Sequence, residues 1–86
     1  MSIDVKRIRT NYNEVYDEMI KKLKNKSIDI SQVKRTMKRK VNGRTKCYAV
    51  MKYNKPSIVI SLAEAYFINT YLNKEAIKKG THSYYS

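Results

Sequence analysis

The hydrophobic period of this chain changes partway along it, and that change limits the fold more than any other feature. From Asp4 to about Asn25 the apolar residues Val5, Ile8, Tyr12, Val15, Tyr16, Met19, Ile20 and Leu23 fall within an arc of about 140° at 100° per residue, the signature of a core helix. After Gly43 the period drops to near two. Cys47, Ala49 and Met51 alternate with Tyr48, Val50 and Tyr53, and Ile58, Val59 and Ile60 form a β-branched run. With Asn54, Lys55 and Pro56 as turn formers between them, a β-hairpin over 46–60 is expected. A chain of 86 residues carrying both periods in separate stretches is a small α+β single domain, spanning 1–79, with a thin core. Residues 80–86 have no periodicity and read as a disordered tail.

The outer face of the first helix pairs Asp17 with Lys21 and Glu18 with Lys22, acid before base at i,i+4, so it reads as solvated. Tyr12 and Tyr16 lie inside the apolar arc and are expected in the core. The segment Lys24 to Ile30 breaks the period. A last helix starts at a capping box, Ser61 with Glu64, and ends at Gly80 after Lys78 and Lys79, whose charges suit a helix C-terminus. Leu62, Ala65, Tyr66, Leu72, Ala76 and Ile77 make one apolar face of that helix. Phe67 and Tyr71 project from the side occupied by Glu64, Lys74, Glu75 and Lys78. That second apolar patch fits either a partner surface, with a homodimer as the natural occupant, or a broad core contact.

Charge points to the kind of partner. The formal net charge is +12, and residues 31–60 hold nine basic side chains and no acidic one. An excess confined to the middle third argues for a polyanion rather than for solubility alone. Its densest part is Val33 to Lys46, half of which is basic. On a helical wheel Ile30, Val33, Met37 and Val41 share a stripe opposite Gln32, Arg35, Lys38, Arg39 and Asn42, so a basic helix is expected over 31–42. Asp29 or Ser31 would cap it, and Gly43 would end it as the C′ residue.

Helix, basic helix, hairpin and helix in that order resembles the winged helix-turn-helix, though that fold carries three helices before its wing and only two are legible here. The resemblance covers roughly residues 12–61 and implies DNA binding, with the later helix in the major groove and the hairpin as wing. Gln32, Arg35 and Arg39 would reach base edges. Lys34, Lys38, Lys40, Asn42, Arg44 and Lys46 would complete the surface, mostly along the backbone, and Lys52 and Lys55 would serve the wing. The expected function is thus a small dimeric DNA-binding regulator or accessory factor. A mobile-element origin, phage or plasmid, fits a composition in which 38 of 86 residues are Lys, Asn, Ile or Tyr, as AT-rich codons produce. Two other readings are open: an adaptor or inhibitor binding another protein, and an RNA or single-strand binder stacking bases on Tyr48 and Tyr53 from an exposed sheet face.

Enzymatic chemistry has little to draw on. The one histidine, His82, sits in the tail without ligand-spaced neighbours; two glycines allow no phosphate-cradling loop, and seven scattered carboxylates suggest no acid/base pair. No cofactor, metal or catalytic residue is expected. The single cysteine, Cys47, fits a reducing compartment. No apolar run reaches bilayer length, and the start MSIDVKRIR lacks a signal-peptide core, so a soluble cytoplasmic protein is expected.

Overall fold

In a computed structural model, residues 3–78 are described, as three helices packed on one face of a three-stranded antiparallel sheet. Helix α1 (Val5–Thr10) and helix α2 (Tyr12–Asn25) divide the long apolar arc between them. Asp4 caps α1 by accepting from the Arg7 N–H at 2.9 Å. The expected single helix breaks at Asn11, whose backbone at φ −131, ψ 42 leaves the helical region. There Thr10 turns its hydroxyl back to the Lys6 carbonyl at 3.0 Å, and the Asn11 amide donates to Glu14 at 2.7 Å. Such short polar side chains compete with the helical ladder at a boundary. The buried residues Ile8, Val15, Met19 and Leu23 all belong to the anticipated arc.

The basic segment is not a helix. A single 3-10 turn, Ile30–Gln32, is capped by Asp29, whose carboxylate accepts from the Ser31 N–H at 3.0 Å and the Ser31 hydroxyl at 2.8 Å. Both bonds favour the ionised Asp29 and hold its pKa below the ordinary value. The chain then runs extended as β1 (Val33–Val41), turns at Asn42 and Gly43, and returns as β2 (Arg44–Met51). Asn42 at φ 53 and Gly43 at φ 76 occupy the left-handed region, as a two-residue type I′ hairpin turn requires. Gly43 therefore closes a hairpin instead of ending a helix. The expected hairpin over 46–60 survives as the pairing of β2 with β3 (Ile58–Ile60), giving the order β1-β2-β3. With residues 31–42 in a 3-10 turn and a strand, no recognition helix precedes the hairpin and the helix-turn-helix arrangement is not formed there.

Helix α3 (Leu62–Lys78) begins at the capping box read from the sequence: the Glu64 N–H donates to Ser61 Oγ at 3.1 Å and the Ser61 N–H to Glu64 Oε1 at 2.7 Å. Its orientation differs from the expected one. Leu62 and Ile77 are exposed, whereas Phe67 is 0% exposed and stacked on Tyr12 at 5.3 Å between ring centroids, with Tyr16 at 5.7 Å. Tyr71 is half-buried against the same core. Phe67 is thus a central core residue and not a surface for a second copy; the polar-looking side of α3 faces α2. Glu64 lies on that side too and is buried, paired with Lys26 Nζ at 2.5 Å. Burial pushes its pKa up, but hydrogen bonds from Lys26 and from the Ser61 N–H outweigh that and hold it below the usual carboxylate value. The expected helix end at Gly80 and the tail over 80–86, with His82, lie outside the described residues.

Candidate nucleic-acid interface

The pairing register decides which charges share a face. Residues opposite one another in an antiparallel pair point to the same side. Thr36, Lys38 and Lys40 stand opposite Ala49, Cys47 and Thr45, and Ile58 and Ile60 stand opposite Ala49 and Cys47. Ala49 and Cys47 are buried, and the Thr36 hydroxyl donates to Asn69 Oδ1 of α3 at 2.7 Å, so this is the helix-covered side. The other side carries four cross-strand pairs: Arg35 with Val50, Met37 with Tyr48, Arg39 with Lys46 and Val41 with Arg44, with Val59 of β3 beside Tyr48. Single-sided sheets of this kind leave one face in water.

A β-bulge makes this partition possible. Val33 pairs with Met51 and Arg35 with Val50, so β1 uses two steps where β2 uses one. Val33 is buried at 1% exposure, yet Arg35 and Met37 emerge on the open face. Without the extra residue, Val33 and Arg35 would share a side.

Beyond the third strand, β1 and β2 continue as a bare two-stranded ribbon. The partner of Ile60 is Cys47, so residues 39–41 and 44–46 extend past β3 by about 10 Å before the turn, at about 3.4 Å per residue. All residues from Lys38 to Lys46 are exposed. Five of those nine are cations, and among the described residues the ion pairs are Lys26–Glu64 and Lys78–Glu75, neither on the ribbon. Arg39 and Lys46 face each other directly, a like-charge pair that weakens the hairpin. The ribbon therefore holds uncompensated positive charge on both sides.

The residues expected to bind are divided by this geometry. Lys38, Arg39, Lys40, Asn42, Arg44 and Lys46 converge on the ribbon, and Arg35 joins them on the open face. Lys34 is exposed at the bulge. Gln32, Lys52 and Lys55 lie at the opposite end of the sheet, about 30 Å from the turn along a nine-residue strand. There the Gln32 carbonyl accepts from the Lys52 N–H at 2.8 Å, and the Lys52 ammonium donates to the Ser31 carbonyl at 3.3 Å. These three do not belong to one surface with the ribbon. Sequence reasoning passed over Met37, Val50 and Val59, which with Tyr48 form an apolar row across the open face. The signal that would have found them is the Asn42-Gly43 pair, because a two-residue turn fixes the register of every residue behind it.

Of the two tyrosines considered for stacking, Tyr48 lies half-buried on the open face and Tyr53 is 77% exposed in the β2–β3 turn, at the far end. The Tyr12 phenol, packed on Phe67, is raised to about 12 by burial and by the neighbouring Tyr16, Tyr71 and Glu75. That shift reflects core packing. Among the described residues no group of three or more His, Cys, Asp or Glu side chains could hold a metal ion, and no helix is long and apolar enough to cross a membrane. No family model matches the chain, and no curated protein or solved structure matches it either.

Proposed function

We propose that this protein binds duplex DNA by inserting the β1–β2 ribbon into the major groove, with the open sheet face turned to the bases. The observation that carries this reading is a protruding two-stranded ribbon with cations on both sides, a like-charge pair across it and no acid nearby. The major groove, about 12 Å wide and 8.5 Å deep, admits a two-stranded β-ribbon. Arg39, Lys46 and Arg44 would face base edges, with Arg35 and Met37 behind them. Lys38 and Lys40, on the reverse side, would reach the flanking phosphates. A regulatory or accessory role in a mobile element remains the biological setting that fits so small a basic protein. The role expected of a recognition helix thus passes to a strand pair, and Lys52 and Lys55 are not needed as a wing.

Single-strand binding is the second reading, favoured by Tyr48 on the open face between Met37 and Val59. Duplex binding has the better support, because one half-buried ring is a poor platform for successive bases and the cations extend beyond it along the ribbon. Fluorescence anisotropy with labelled duplex DNA, single-stranded DNA and RNA of one sequence tests both. Tightest binding to duplex, weakened when Arg39 and Lys46 are replaced, is the expected result. Tightest binding to a single strand, lost in Tyr48→Ala, would replace the proposal with the second reading, and binding to none would remove both.

A further inference from the structure

We infer that a second copy of this chain pairs along the outer edge of β3, joining two sheets into one of six strands, and that the resulting dimer sets two ribbons one turn of DNA apart. The spacing part rests on the proposed duplex binding; the edge pairing does not. The two edges of the sheet are unlike. The β1 edge carries Lys34, Arg35, Lys38, Arg39 and Lys40, which repel a second β1. The β3 edge is Ile58-Val59-Ile60, without a charge, and its ladder partners all belong to β2. Val59 is 52% exposed and Leu62, just past the strand, 57% exposed. Helix α3 packs chiefly over β1 and β2. The strand's three-residue length limits how much it can pair, but it carries no charge to repel a second strand, and its outward N–H and C=O groups form a template for one.

A three-residue strand pairs with its own copy most fully when centred on Val59, so that Ile58 meets Ile60 of the second copy and Val59 meets itself. This contact closes after two chains, as a twofold requires. A twofold perpendicular to the sheet keeps both open faces on one side. The Met37, Tyr48, Val59 row then runs unbroken across both copies, and the ribbons point in opposite directions. Midlines of the two ribbons lie four strand spacings apart, about 19 Å at about 4.8 Å each. Their displacement along the strands brings the separation to about 28 Å at Lys40 and Thr45 and to about 39 Å at the turns, for a flat sheet rising about 3.4 Å per residue. One helical turn of DNA, about 34 Å, falls between these values.

The test is cross-linking of a Val59→Cys variant in a Cys47→Ala background, oxidised with oxidised glutathione, with and without a mixed-sequence duplex of 30 base pairs. Facing Cβ atoms about 5 Å apart in such a pair are near the span that a disulfide bridges. The expected result is a disulfide-linked dimer at least tenfold more abundant than from Thr45→Cys in the same background, whose thiols stay about 25 Å apart by the same geometry. Sedimentation of the unaltered chain, free and with the duplex, covers the case in which the variants do not fold, and two copies associated in either condition is the expected outcome. Equal cross-linking at positions 59 and 45, or a monomer in both conditions, overturns the edge pairing. Duplex binding is read separately by anisotropy: binding by a monomer sinks the pairing and leaves the proposed function standing, whereas cross-linking at position 59 without duplex binding supports the pairing and sinks the function.

Discussion

Replacing Arg39 and Lys46 together by glutamine should move binding and stability in opposite directions. The two side chains face each other on the bare ribbon, and no described carboxylate pairs with either. Two unit charges about 6 Å apart in water repel by about 0.7 kcal/mol before salt screening, so the variant should gain a few tenths of a kcal/mol in stability. Binding should suffer. With Lys38 and Lys40 on phosphates, log K should fall with log salt at a slope of about −1.8 in parent and variant alike, because Arg39 and Lys46 meet bases rather than phosphates. Raising salt from 50 to 200 mM should then weaken both about 12-fold, while the variant binds more weakly than the parent at every salt concentration. Urea denaturation followed by circular dichroism gives the stability, and anisotropy at four or more salt concentrations gives the slopes. A variant with the parent's affinity at every salt concentration would show that the ribbon does not meet the duplex. A loss of stability would mean that the cross-strand pair is not repulsive, and the case for a polyanionic partner would lose its main physical support.

Phe67→Ala should cost about 3 to 5 kcal/mol through the cavity left under Tyr12 and Tyr16, enough to unfold much of so small a domain, and thermal melts read by circular dichroism would show it. Gly43→Ala should cost about 1 kcal/mol through backbone conformation alone, since a Cβ there meets nothing within 4 Å while φ is +76; an unchanged urea midpoint would argue against the type I′ turn. Tyr53→Asn should stabilise by about 0.5 to 1 kcal/mol in the same assay, because Tyr53 holds φ 61 in a 77% exposed turn where asparagine is the easier fit. The pKa of Glu64 is lower in the folded state than in the unfolded chain, so its contribution is fully present above about pH 4.5 and is lost as pH falls through the folded value. Glu64→Gln should therefore destabilise at pH 7 and flatten the acid limb of a pH–stability curve; an unaltered acid limb would contradict the Lys26 pairing.

Local rules were enough wherever a residue's partners are near in sequence. The capping box at Ser61 and Glu64 and the apolar arc from Tyr12 to Leu23 depend on side chains three or four apart, and both stand in the folded chain, whereas the break at Asn11 leaves no mark on that period. The strand period from Cys47 to Met51 was legible for a similar reason, and so was the concentration of charge. The segment from Val33 to Val41 was not settled by its pattern, because Val33, Met37 and Val41 recur every four residues. Four steps of 100° fall close to a full turn of a helix, and four steps of 180° return to the same side of a strand, so both periods fit. The arbiter was the Asn42-Gly43 turn: Val41 with Arg44, Met37 with Tyr48 and Arg35 with Val50 all follow from that one two-residue loop. What the turn could not determine is which side of the ribbon meets the helices. That depended on the bulge that buries Val33 and on where α3 settles, and Phe67 shows why the pattern alone does not fix the buried face of α3. Its helix offers two apolar faces, and only packing against Tyr12 and Tyr16, more than fifty residues away in sequence, selects the one that enters the core. The candidate interface exists because that choice covers one side of the sheet with helices and leaves the charged ribbon and the Met37, Tyr48 and Val59 row uncovered.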